Sequence, residues 1–228
     1  MLGIKILAGT DFHGFKPAFE LFAEKVKTFK ADIMVICGDI TNFGTIEQAK
    51  NLLSILAKTG APIFFVPGNC DPPSLININL EGVRCVHGNS VLYNNLVFMG
   101  VGGSPITPFN TFFEMSEEKI AEVLQECLHK FGGETKKHKM ILLSHSPPKN
   151  TALDRAFSGI HAGSTSVRGF IEEHKPLLVV CGHIHEAKGK ERVGDTLIIN
   201  PGPARQGNCA VISIEGDEVN ADFYSIKM

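Results

Sequence analysis

Short apolar runs alternate with amphipathic stretches along the first third of the chain. Ile4-Lys5-Ile6-Leu7-Ala8-Gly9-Thr10 is a strand-like run ending at Asp11, and from Pro17 to Lys30 the apolar residues Phe19, Phe22, Val26 and Phe29 return at helical spacing. The pattern then repeats. Ile33 to Cys37 is a β-branched run, Thr45 to Thr59 reads as a helix, and Pro62 to Val66 is another strand before Pro67-Gly68. Strands alternating with helices predict a parallel sheet joined by right-handed crossovers.

After Pro72-Pro73 the texture changes. Strand candidates near Val83 to Val86, Val91 to Tyr93 and Leu96 to Val101 are separated only by turn residues, which predicts an antiparallel section. Met115 to Phe131 reads as a helix, and Gly132 to Lys139 as a charged, exposed connection. Met140 to Leu143 and Leu177 to Cys181 read as buried strands flanking a helix from about Ser164 to His174. The tail returns to strands at Leu197 to Asn200, Ala210 to Ile214 and Val219 to Ser225, with no internal repeat or low-complexity segment.

Composition narrows the class. A chain of 228 residues, 43% of them apolar, fits one large α/β domain with a sizeable core, so one domain over residues 1–228 is expected. Lys+Arg at 22 against Asp+Glu at 24 give a net charge of -2, which offers no footprint for tight, sequence-independent binding to nucleic acid. Six scattered cysteines (Cys37, Cys70, Cys85, Cys127, Cys181, Cys209) form no C-x-x-C pair and no dense framework, so a reducing, cytoplasmic setting is expected. No basic region followed by a long apolar stretch opens the chain, and runs such as Pro176 to Cys181 fall far short of the roughly 20 residues of a spanning helix. A soluble protein without a membrane partner is expected.

The candidate chemistry sits just past the predicted strands. Asp11-Phe12-His13, Gly38-Asp39, Gly68-Asn69-Cys70-Asp71, Ser144-His145-Ser146 and Gly182-His183-Ile184-His185 each follow one directly. In open parallel α/β sheets the ligand site lies outside the carboxyl ends of the strands, so these remote segments should converge on one edge. Taken singly, Asp11 or Asp39 reads as a turn former, and a lone buried histidine as a hydrogen-bonded core residue. Together and in order they read as a ligand set. Carboxylate, imidazole and amide donors without thiolate suit divalent Mn, Fe, Zn or Ni more than a structural zinc.

In this order the segments resemble the calcineurin-like metallophosphoesterases, whose signature is D-x-H, G-D, G-N-H-[DE], a lone His after a strand, and G-H-x-H. The likeness spans residues 11 to 185, and Asn200-Pro201-Gly202 resembles the segment that follows in small members, the prokaryotic phosphodiesterase type. The resemblance implies a four-layer α/β/β/α sandwich with two mixed sheets flanked by helices. It implies a metal-dependent phosphoester hydrolase whose dinuclear centre holds two divalent ions, manganese among the candidates. Asp11, His13 and His185 would bind one ion, Asn69, His145 and His183 the other, and Asp39 would bridge. Two cations about 3.5–4 Å apart clamp phosphoryl oxygens and lower the pKa of a shared water, supplying hydroxide at neutral pH. Asp71, at the family's acidic position, would orient its neighbours rather than bind metal.

One position departs from the pattern. Where the family commonly carries the His that protonates the leaving group, this chain has Cys70, and a thiol is a poor general acid there. Asn-Cys-Asp resembles a subset of small prokaryotic phosphodiesterases, and Cys70 reads equally as a small residue in a tight turn. His161, in Gly159-Ile160-His161-Ala162-Gly163-Ser164 ahead of a predicted helix, reads either as a phosphate-holding residue, a catalytic candidate beside Asn69 and Asp71, or as an exposed loop histidine. His87, His129, His138 and His174 lie in no motif. The resulting expectation is a phosphodiesterase or phosphomonoesterase for small substrates. A nuclease is the alternative, and a metal-bound interaction scaffold the alternative of another class, disfavoured because all seven ligand positions hold competent residues. Substrate, native metal and oligomeric state are not legible.

Overall fold

The computed structural model describes residues 3–132, 137–157 and 159–225. In chain order the elements are β1 (Ile4–Gly9), α1 (Lys16–Phe29), β2 (Ile33–Cys37), α2 (Ile46–Ala57), β3 (Ile63–Val66), β4 (Val83–Cys85), β5 (Ser90–Tyr93) and β6 (Leu96–Val101). Then follow β7 (Ser104–Pro105), β8 (Glu114–Met115), α3 (Glu117–Phe131), β9 (Lys139–Ser144), α4 (Thr165–His174) and β10 (Leu178–Val180). The chain closes with β11 (Gly189–Val193), β12 (Thr196–Asn200), β13 (Asn208–Glu215) and β14 (Glu218–Ser225).

Two mixed six-stranded sheets result, ordered β14-β13-β1-β2-β3-β4 and β11-β12-β10-β9-β6-β5. The continuous apolar runs in the sequence have a simple cause: both faces of each central strand are buried. In β1, Ile6 and Ala8 enter the core between the sheets while Leu7 faces α1 and α2. In β9, Ile141 and Leu143 enter the same central core while Met140 and Leu142 face α3 and α4. Phe64 and Phe98 meet across the central layer with ring centroids 4.7 Å apart. The outcome is the expected α/β/β/α sandwich.

The helices start and stop where local chemistry dictates. Thr45, Ser116 and Ser164 each accept an N–H of the first turn at the start of α2, α3 and α4, the ordinary role of a hydroxyl cap. Gly132 closes α3 in the left-handed conformation.

Two expectations need correcting. The section after Pro72 is not wholly antiparallel: β4 pairs in parallel with β3, and only β5 with β6 is antiparallel, after which β6 runs parallel to β9. A three-residue strand carries too little pattern to reveal its direction. The edge strand β11, with its alternation of half-buried and exposed residues, went unrecognised because Lys190, Glu191 and Arg192 mask its period. Half of the expected charged connection, residues 133–136, lies outside the described residues. No helix among the described residues is long and apolar enough to cross a membrane.

Candidate metal centre

Strands β1, β2 and β3 of one sheet and β9 and β10 of the other end at the same edge, and every ligand candidate sits in the turn just beyond one of them. The turns lock together through backbone hydrogen bonds. The N–H groups of Asp11, His13 and Gly14 donate to the carbonyls of Gly38, Asp39 and Ile40 at 3.0, 2.7 and 2.9 Å. Gly182 N–H donates to the His145 carbonyl at 2.9 Å, joining the β9 and β10 turns. Close approach explains the glycines of the motifs. A Cβ on Gly38 would collide with the His145 ring and the Gly68 backbone, and one on Gly182 with the Thr10 hydroxyl.

Four of the ligand candidates, Asp11, His13, Asp39 and His183, hold left-handed backbone angles, with φ of 54°, 47°, 50° and 67°. Such conformations are disfavoured for side-chain-bearing residues and persist where the surroundings dictate them, as at functional sites.

The donor atoms converge. Those of Asp11, His13 and His185 lie within 4.8 Å of one another, as do those of Asp11, Asp39 and His145. Asp39 stands between two histidines, its Oδ2 3.5 Å from His13 Nε2 and its Oδ1 3.6 Å from His145 Nε2. Asn69 Oδ1 lies 2.9 Å from His145 Nε2, and the His183 ring packs edge-on against His145 with centroids 5.1 Å apart. All seven expected ligands therefore share one site.

Does the donor set suit cations? Asp11 Oδ1 is buried without a hydrogen-bond partner. His145 Nδ1 lies 2.7 Å from the Cys37 carbonyl, which can only accept, so Nδ1 carries a proton and Nε2 is the ring nitrogen turned toward the site. His145 Nε2 faces Asn69 Oδ1 at 2.9 Å, and the amide's orientation is fixed because Asn69 Nδ2 donates to Thr111 Oγ1 at 3.1 Å. Burial lowers His13 to about 4, and burial followed by His145 lowers His183 to about 3, leaving both imidazoles neutral near pH 7 as metal ligands must be. Burial tends to raise Asp11, but the surrounding His185, His145 and His13 hold it well below the usual carboxylate range. Asp39 is raised, by burial first, then offset in part by His145 and reinforced by Asp11 and Asp71. The residues fit divalent ions.

Asp71 is fully buried, and its carboxylate accepts from Ile40 N, Thr41 N, Thr41 Oγ1 and Gly68 N at 3.0, 2.7, 2.8 and 2.8 Å. It clamps the Asp39 turn to the Asn69 turn and leaves nothing over for metal. Cys70 is not among the expected ligands, yet its Sγ lies within 4.8 Å of donor atoms of His13 and Asp39. Burial, then Asp39, raises the thiol well above its ordinary value, so it stays protonated and is no ready general acid.

His161 is half-exposed and sits apart from these clusters, its Nδ1 2.6 Å from Oδ1 of the fully buried Asp154. Asp154 also accepts from the N–H groups of Asn150, Thr151 and Gly163 and so fixes the whole loop. Sequence reasoning missed it. Its one signal was Thr151-x-x-Asp154, a capping box that the structure forms. The loop leaves β9 directly after His145, and Phe157 N–H donates to Glu186 beside His185 at 2.6 Å.

A sequence model of the metallophosphoesterase family of the calcineurin superfamily matches residues 41–223. The chain belongs to this family. The metallophosphoesterase match starts after Asp11, His13 and Asp39, which geometry alone joins to the other ligands. An uncharacterized protein of Methanocaldococcus jannaschii is 36% identical over 208 residues, covering 88% of each chain. A protein of Arcobacter nitrofigilis named as a probable glycerophosphodiester phosphodiesterase is 23% identical over 161 residues, covering 68% of this chain and 57% of its own length. The fold of a dimetal phosphatase from Danio rerio superimposes with a TM-score of 0.65 at 12% identity, covering 96% of this chain and 95% of that one. As a metallophosphoesterase, the chain is a phosphoester hydrolase.

Proposed function

We propose that residues 1–228 form one domain that hydrolyses small phosphoesters, diesters foremost, with two divalent cations. Asp11, His13 and His185 would hold one ion, Asn69, His145 and His183 the other, with Asp39 between them. The observation that carries this is the placement of Asp39, one carboxylate oxygen toward His13 and the other toward His145. Ions bound there would neutralise phosphoryl charge and make water acidic enough to serve as nucleophile at neutral pH.

The chain's own residues perform the rest. Thr10 Oγ1 and the His183 N–H donate to Asp11 Oδ2 at 2.8 and 3.1 Å, leaving Oδ1 free to point inward. Cys70 N–H donates to Asp39 Oδ1 at 2.8 Å and sets its orientation. The Cys37 carbonyl fixes the His145 tautomer, a preorganisation that spares the site reorganisation when substrate arrives. His161, held by Asp154, would meet the phosphate or the departing group. The similarity to the glycerophosphodiester phosphodiesterase favours diesters over monoesters.

The test is a panel of cyclic nucleotides, aryl phosphodiesters and aryl phosphomonoesters assayed with Mn, Ni, Fe and Zn in turn. Turnover of small diesters that requires added metal and disappears on chelation is the expected result. Metal-loaded protein inert toward every ester would overturn the proposal, and faster monoester than diester hydrolysis would overturn the diester preference.

A further inference from the structure

The rim of the metal centre carries aromatic surface that the chemistry above leaves unused. Phe43 and Phe112 are 48% and 50% exposed, and their rings meet edge to face with centroids 5.0 Å apart. Both are tied to the turn that bears the Asn69 amide. Phe43 N–H donates to the Cys70 carbonyl at 3.0 Å. On either side of Phe112, the Thr111 hydroxyl receives Asn69 Nδ2 at 3.1 Å and Phe113 N–H donates to the Asn69 carbonyl at 3.0 Å. Phe43 also holds φ of 56°, a left-handed conformation that is a genuine outlier for a bulky residue. Folding the core does not explain it, since half of the side chain stays in water. Strain of this kind gathers at ligand clamps.

We infer that Phe43 and Phe112 form the binding face for an aromatic substituent of the phosphoester, a ring one bond or two from phosphorus. The inference rests on the phosphoesterase reading. Two features favour a ring over an aliphatic chain or a partner protein. An edge-to-face pair forms a corner in which a third ring stacks on one phenyl face and meets the edge of the other, the arrangement aromatic quadrupoles prefer. The corner is also joined to the metal-bearing turn through hydrogen bonds at Asn69 and Cys70, so a ring carried by a phosphoester at the metal centre has this corner beside it.

Inhibition by phenylphosphonate and methylphosphonate separates ring binding from any leaving-group effect, since neither is cleaved. The wild type should bind the phenyl compound about tenfold more tightly. In the double variant Phe43→Ala/Phe112→Ala that preference should fall below about threefold, with two metal ions retained and the loss confined to the phenyl compound. Phe112→Leu, which keeps apolar bulk without a ring, should lose most of the preference as well and serves where the double variant folds poorly. Equal inhibition by the two phosphonates in a wild type that hydrolyses esters overturns this inference alone, as does a preference that survives both variants. A wild type inert toward the whole ester panel overturns the phosphoesterase reading first and the inference with it.

Discussion

His13 Nε2 and His185 Nε2 lie 3.1 Å apart although 172 residues separate them in the chain. His185 Nε2 is also 3.3 Å from Asp11 Oδ1, the buried oxygen without a hydrogen-bond partner. Two imidazoles and a carboxylate oxygen aimed at one point describe a cation site. The adjoining Asp39 is placed toward this cluster and toward His145, so its removal reaches both halves. Asp39→Ala is expected to abolish turnover and lower bound metal from two ions per chain, whereas Asp11→Ala or His185→Ala should strip mainly one ion and Asn69→Ala or His145→Ala mainly the other. Metal analysis of the purified variants decides. Two ions and normal activity in Asp39→Ala would sink the dinuclear assignment.

The pairing of His161 with Asp154 yields a different signature. Because Asp154 is buried and already accepts three backbone N–H groups, it holds the imidazole without any help from metal. A hydrogen bond to a charged group contributes about 1.5–3 kcal/mol, or roughly 10–100-fold. His161→Ala should lower turnover by that factor on good and poor leaving groups alike, with metal content unchanged. Kinetics identical to wild type on every ester would leave His161 an exposed loop residue.

How much of this was legible beforehand differs between strand ends and loops. The ligand turns follow strands that are largely continuous apolar runs, as in β2, where Ile33, Val35 and Cys37 face one core while Met34 and Ile36 face the other. The five motifs therefore announced themselves. Asp154, Thr111 and Phe43 did not, because their roles depend on contacts across loops that no period encodes. The same holds for β4, where Val83, Arg84 and Cys85 pair in parallel with Ile63, Phe64 and Phe65 for reasons set by the sheet rather than by three residues.

Glu114 supplies a pH-dependent support for the metal-bearing turn. Burial acts to raise it, but hydrogen bonds from the Thr107 and Thr111 hydroxyls and N–H groups together lower it from 4.5 to about 2. Thr111 in turn receives Asn69 Nδ2. A carboxylate whose folded pKa lies below its unfolded one adds stability that is complete above pH 4.5 and is lost as pH falls toward 2. Wild type should therefore melt above Glu114→Gln at pH 7, and the gap should narrow steadily below about pH 4.5. Thermal melts of the two proteins across that range test it, and a gap that stays constant would remove Glu114 from this role.

Cys70 sets the last expectation. Its thiol lies beside Asp39 and is raised by burial and by that carboxylate, so it does not release a proton to a departing alkoxide at useful rates. Without an acid beside Asn69, the rate should depend steeply on how well the oxygen leaves unaided, and aryl esters should be cleaved far faster than alkyl esters. General acid catalysis contributes about 10²–10⁴-fold, so restoring it should be visible. Cys70→His should raise turnover of poor leaving groups selectively, with Asp71 already clamping the turn on which the new ring would sit. The measurement is log rate against leaving-group pKa for both proteins, with the non-leaving group held constant so that binding at Phe43 and Phe112 does not enter the slope. A line already shallow in the wild type would mean that another residue delivers the proton. His161, with Nδ1 engaged by Asp154 and Nε2 left over, would then be the residue to replace, and its variant should turn the shallow line steep.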